Sequence, residues 1–189
     1  MIIESNCTNE IIVNKSKFIT YIYKIKNKSE FLIYYNELKN KHKDATHICY
    51  SYIIDNEIKY FDDKEPTGTA GMPIYDVLKK NNLNYIVCFV VRYFGGVKLG
   101  ASGLTRAYSN SISLCLKKTN IIKIEKLYKI KLTINYQDLN ILESIIDNKN
   151  ILEKDYQNDV TLTIIINDDK LQKINFNNFK YEILDDNFF

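Results

Sequence analysis

Residues 85–106 read YIVCFVVRYFGGVKLGASGLTR: an apolar, β-branched run, then a glycine loop, then a helical pattern. Residues 85–93 stay apolar up to Arg92, as a central strand covered on both faces would. The loop FGGVKLGA follows at 94–101. Ser102 is predicted to cap a helix running to about Lys117, with Leu104, Tyr108, Ile112 and Cys115 as its buried stripe. A strand, a glycine loop and a helix N-terminus together present free backbone N–H groups and a positive dipole end to an anion. Lys98 in the loop and Arg106 in the first turns of the helix add charge.

Special residues concentrate around this stretch. All six glycines (Gly68, Gly71, Gly95, Gly96, Gly100, Gly103), both prolines (Pro66, Pro73) and the only two arginines (Arg92, Arg106) fall between residues 66 and 106. Elsewhere the chain turns with Asn and Asp, which tolerate the left-handed region. Glycine serves positive φ or close approach of the backbone to a ligand, and arginine offers a rigid bidentate fork. A functional cleft and a set of tight turns with one ion pair both explain the pattern. Just upstream, FDDKEPTGTAGMP at 61–73 carries Asp62, Asp63 and Glu65. Three carboxylates so close could bind Mg²⁺, divide acid and base roles, or clamp the two arginines, and the clamp is favoured. His47, Thr67 and Thr69 are accessory candidates.

Familiar enzyme loops do not fit. From Gly95 the spacing is that of a Walker A loop, but Ala101 stands where the phosphate-reaching lysine belongs. The glycine spacing is wrong for a dinucleotide fingerprint, and Ser102 is not in a nucleophile elbow. No cofactor and no metal are expected.

Outward from the centre, residues 17–26 (KFITYIYKIK) alternate as a strand. Ser29 is a predicted N-cap for a helix to about Lys41, with Phe31, Leu32, Tyr35 and Leu38 on one face. His47–Ile54 and Glu57–Phe61 make a hairpin around Asp55-Asn56, and Pro73 opens a short helix ending near Lys80. Past Lys123 the pattern is strand 127–136, helix 137–148, strands 151–156 and 160–166, helix 168–176 and strand 180–184. That is the βαββαβ order of a split βαβ, or ferredoxin-like, unit. The expectation is α+β, with domains at 1–123 and 124–189.

A chain of 189 residues with 46% hydrophobic and 26% charged residues can bury a core. Its net charge of +3 permits nucleic-acid contact without demanding it. No apolar run reaches the ~18–20 residues a bilayer span needs, so no membrane is expected. Glu4 stands where a signal peptide would be basic. Cys7, Cys49, Cys88 and Cys115 are dispersed and form no C-x-x-C pair. Together these predict a reduced, cytoplasmic protein without disulfides.

The two long motifs, FDDKEPTGTAGMP and VVRYFGGVKLGASGLTRAYS (90–109), resemble the signature of the YigZ/IMPACT family. So do K-S-K-F-I at 15–19, D-A-T-H at 44–47, and the turns N-Y-Q-D and D-Y-Q-N-D-V in the second half. Lys64 stands where the family has glycine, and Ser102 where a glycine precedes Gly103. The resemblance implies a first domain with the ribosomal-protein-S5-domain-2-like fold and a ferredoxin-like second one, paired like the last domains of elongation factor G. Eukaryotic relatives regulate translation with an additional N-terminal RWD domain, for which 189 residues leave no room, so that partner does not carry over.

The resulting expectation is a translation regulator that binds RNA or the ribosome through Arg92, Gly95, Gly96, Lys98, Gly100, Ser102, Gly103 and Arg106. A translation-related protein is a further candidate partner. A nucleotide- or phosphate-binding enzyme and a protein-interaction module are the alternatives, since a fold by itself does not choose.

Overall fold

A computed structural model describes residues 1–125, 127–177 and 179–185. The chain divides into two compact units, Met1–Lys123 and Ile124–Phe189, both mixing strands and helices. Positions 126, 178 and 186–189 of the expected second domain lie outside the described residues.

The first unit runs β1 (Ile2–Ile3), β2 (Cys7–Val13), β3 (Ser16–Lys24), α1 (Lys28–Lys41), β4 (His47–Ile54), β5 (Glu57–Phe61), α2 (Gly71–Lys80), β6 (Ile86–Tyr93), α3 (Gly100–Leu116) and β7 (Ile121–Ile122). Its five-stranded sheet has the order β2-β3-β6-β4-β5 with every neighbour antiparallel. β6 is central, as its unbroken apolar run requires, because successive side chains point to opposite faces. Ile86, Cys88 and Val90 face a core shared with Phe18, Ile74 and Leu78, and with Tyr108 and Ile112 of α3. Val87, Phe89 and Val91 face the other way, onto Tyr21, Tyr50 and Tyr52 and onto Phe31 and Leu38 of α1. The short strands β1 and β7 pair antiparallel and bring the two ends of the unit together.

Several boundaries differ from the sequence expectation. Strand β2 escaped the pattern reading, because as an edge strand it is half-exposed along its whole length. The cap of α1 is Asn27, whose side chain accepts from Glu30 N, so Ser29 lies inside the helix; Leu32 is exposed. α2 starts at Gly71, two residues before Pro73. α3 starts at Gly100 with Leu99 at the cap position, so Ser102 caps nothing and is exposed within the first turn.

The second unit runs β8 (Leu127–Ile134), a 3-10 turn at Tyr136–Asp138, α4 (Leu139–Ile145), β9 (Ile151–Tyr156), β10 (Val160–Asn167), α5 (Asp168–Phe176) and β11 (Lys180–Asp185). The helix expected over 137–148 is thus shorter, giving way to a second 3-10 turn at Asn148–Asn150. The sheet order is β11-β8-β10-β9, again all antiparallel. Ile130, Leu132, Leu162, Ile164 and Ile166 bury one face with Leu142 of α4 and Ile174 of α5.

His42, at the end of α1, is buried between two tyrosines: Nε2 meets Tyr21 Oη at 2.9 Å and Nδ1 meets Tyr93 Oη at 2.8 Å. Burial foremost, then the charges of Lys41 and Lys17, hold its pKa below the ordinary imidazole value. The unfolded chain takes up a proton near pH ~6.5 that the fold refuses. Stability from this residue is therefore complete above that pH and lost as the pH falls below it. Urea unfolding at pH 7.5 and 5.5 should show a larger loss for wild type than for His42→Gln; equal losses would contradict this assignment.

Candidate functional site

The parity of β6 places Arg92 on the same face as Cys88 and Val90, pointing at the α3 layer. In register beside it stand Phe18 on β3 and His47 on β4. A guanidinium at this depth requires a counter-charge, because a buried unpaired ion is strongly unfavourable. Glu65 supplies it: Arg92 Nη1 donates to Glu65 Oε1 at 2.6 Å, with only 5% and 3% of the two side chains exposed. Tyr108 Oη of α3 donates to the same oxygen at 2.8 Å, and His47 Nε2 lies 3.8 Å from it. Arg92 Nη2 donates to Ser16 Oγ at 3.3 Å, and the guanidinium sits 5.4 and 5.5 Å from the rings of Phe18 and Phe94. Its Nε has no hydrogen-bond partner among the described residues.

The other two carboxylates hold backbone. Asp62 Oδ1 accepts from Ala70 N and Gly71 N at 3.0 and 2.8 Å, and Oδ2 from Gly68 N at 2.9 Å. It caps α2 from a distance, at the end where a negative charge is favoured. Asp63 Oδ2 accepts from Ile48 N at 2.6 Å, while its carbonyl meets His47 Nδ1 at 2.7 Å. Thr69 closes the turn onto Pro66 O at 2.6 Å, and Thr67 is exposed. Among the described residues no group of three or more His, Cys, Asp or Glu is arranged to hold a metal ion.

Burial pushes the thiol of Cys49 up, and the Tyr108 phenol is raised well above its usual value, again chiefly by burial. Both stay protonated around neutral pH and act as donors, Cys49 Sγ to Asp62 O at 3.0 Å and Tyr108 to Glu65.

The expected Arg92–Lys98–Arg106 face is therefore corrected. Arg92 is an interior residue. Arg106 is exposed on α3, its Nε donating to Ser102 O at 3.2 Å, and no described carboxylate lies within ion-pair distance of it. It borders an open cavity of about 700 Å³ together with Asn14, Leu99, Gly103 and Asn110. Lys98, Gly96 and Gly100 are exposed in the loop, both glycines at positive φ (82° and 70°). Gly95 serves close approach to the chain itself, since a Cβ there would fall 2.0 Å from the Lys15 carbonyl. Ser16, Phe18, Phe94 and Tyr108 went unread as site residues. The available signal was parity: residues 88, 90 and 92 share a face.

With this geometry in view, the match to known proteins has a physical meaning. The model of the Impact N-terminal domain matches residues 14–116, more than half of the chain, and those residues contain every side chain of the cluster. This chain belongs to the IMPACT family. The IMPACT family member YvyE of Bacillus subtilis is 40% identical over 125 residues, covering 65% of this chain and 57% of that protein. An IMPACT family member of Haemophilus influenzae is 30% identical over 168 residues, 85% of this chain and 81% of that one. The crystal structure of a hypothetical protein superposes with a TM-score of 0.67 at 26% identity, over 97% of this chain and 95% of the other.

Lys64, the departure from the IMPACT motif, has φ 68° and follows Asp63 at φ 43°. The glycine of the family suits that left-handed backbone, and lysine is strained by it. Lys64→Gly should raise stability by about 0.5–1 kcal/mol in urea unfolding. Glu65→Ala should lower it by roughly 3–5 kcal/mol, because it leaves a buried guanidinium unpaired. The double variant Glu65→Leu/Arg92→Met should recover a large part of that loss; no recovery would mean that the pair is not the source of the effect.

Proposed function

We propose that this IMPACT-family chain is a cytoplasmic, translation-associated protein that binds single-stranded RNA through loop 94–99 and the first turns of α3. The carrying observation is the contrast between its two arginines: Arg92 is neutralised inside by Glu65, whereas Arg106 is exposed beside a helix start. The N-terminus of α3 has no side-chain cap, so its backbone N–H groups and dipole are available to a phosphate. Lys98 stands next to it, and Phe94 and Val97 are 46% and 41% exposed, offering an apolar surface on which a base can stack. No helix among the described residues is long and apolar enough to cross a membrane.

The proposed reading extends to the folds of the two units. In the second unit the sheet order is fourth strand, first, third, second, all antiparallel, which supports a ferredoxin-like assignment. For the first unit, the central strand β6 leading through the glycine loop into α3 supports an S5-domain-2-like one.

With Lys98 and Arg106 as the two phosphate contacts, affinity should be weak and the log–log salt slope about −1.5, at ~0.7–0.9 per phosphate. Arg106→Ala should weaken binding evenly across RNA sequences, as a backbone contact does. Titrations of single-stranded RNA at several salt concentrations test this. Equal affinity for wild type and Arg106→Ala, or no binding at low salt, would overturn it.

A further inference from the structure

We propose that Cys7 and Cys115 form a reversible disulfide site that, on oxidation, fastens the edge strand of the first sheet to the last turn of α3. Cys7 opens β2 at the sheet edge, and Cys115 lies one residue before the end of α3. The Cys115 thiol donates to Cys7 Sγ at 3.5 Å, across 108 positions of sequence. A disulfide needs ~2.05 Å between sulfurs, so the gap to close is about 1.5 Å.

Access and acidity divide the two roles. Among the four cysteines only Cys7 is partly exposed; the others are buried. The hydrogen bond from Cys115 lowers the pKa of Cys7 against the opposing effect of burial, and Lys118 adds to the lowering. The Lys118 ammonium is held nearby by a 3.1 Å bond to Thr8 O. Donating its hydrogen bond to Cys7 Sγ, and then burial, raise Cys115. This is the arrangement of an attacking thiolate with a resolving thiol behind it. Cys49 is occupied with Asp62 and Tyr108. Cys88 is fully buried and separated from Cys7 by strand β3, where Ile22 is the register partner of both.

The oxidant is a peroxide or a small disulfide. With hydrogen peroxide, the Cys7 thiolate attacks one oxygen, the O–O bond breaks, and the departing hydroxide leaves as water after taking a proton. Cys115 then attacks the Cys7 sulfenic sulfur, the S–S bond forms and the S–O bond breaks. The second hydroxide leaves as water with the Cys115 proton. Two thiols lose two electrons and one peroxide becomes two waters. A dithiol reverses the bond by exchange.

The test treats the full-length chain with stoichiometric hydrogen peroxide and counts thiols after denaturation. We expect four to fall to two, peptide mapping to give a Cys7–Cys115 link, and dithiothreitol to restore four. The oxidised form should melt higher, by on the order of 10 °C, because the bond closes a long loop. Cys7→Ser, at the more exposed position, should keep its three thiols. Four thiols persisting in wild type, a link through Cys49 or Cys88, or a loss that dithiothreitol does not reverse would overturn the proposal. The wild-type peptide map decides even if a variant fails to fold. Neither Lys98 nor Arg106 takes part, so the result is independent of RNA binding.

Discussion

Arg92 stands on the strand that both faces of the sheet bury, and a guanidinium there has to find its counter-charge within the fold. Glu65 comes to it from a loop 27 positions earlier, and Tyr108 from the helix that follows. One carboxylate oxygen thereby ties the loop after β5, the centre of the sheet and α3 together. Such a pair contributes little net attraction after desolvation, yet losing one partner is severe. Its role here is to leave the loop and the helix a single arrangement relative to the sheet.

That constraint explains the neighbouring details. To reach Arg92 with Glu65, the chain turns sharply after β5, through two consecutive left-handed residues at Asp63 and Lys64. Asp62 then binds three backbone N–H groups and starts α2, and Asp63 extends the hydrogen bonding of β4. The acidic loop is thus a structural clamp on the backbone and on Arg92, and its carboxylates are already engaged. On the far side, Gly95 lets the strand end against the β2–β3 turn at Lys15, which leaves the following loop facing solvent. What remains outside is a helix start with Lys98, Arg106 and Phe94. The same family motif therefore builds an interior knot and an exterior surface.

The second unit needs no such device. Its strand β8 alternates apolar and polar residues, and its core is aliphatic on one face of a single sheet. The first unit has cores on both faces of its sheet, and among the described residues the buried ion pair lies there.

The sequence by itself determined the strand and helix succession from β3 to α3 and in the second unit, the centrality of β6, and the two family motifs, but not the edge strand β2 or the short pair β1 and β7. Those signals are local: periodicity, β-branching and glycine spacing are properties of neighbouring residues. It also offered Asp62, Asp63 and Glu65 as a clamp on Arg92 and Arg106, from their number and sign; in the structure only Glu65 meets Arg92, while Asp62 and Asp63 accept from backbone N–H groups. Only the tertiary structure separated Arg92 from Arg106. The two are 14 residues apart and flank the same loop, but one lies on the inward face of a buried strand and the other on the outward face of a helix. Likewise Ser102 has the chemistry of a cap, yet the helix begins at Gly100. The meeting of Cys7 with Cys115, and of Tyr108 with Glu65, was invisible in the sequence. Such contacts depend on the docking of α3 against the sheet, which local patterns do not encode.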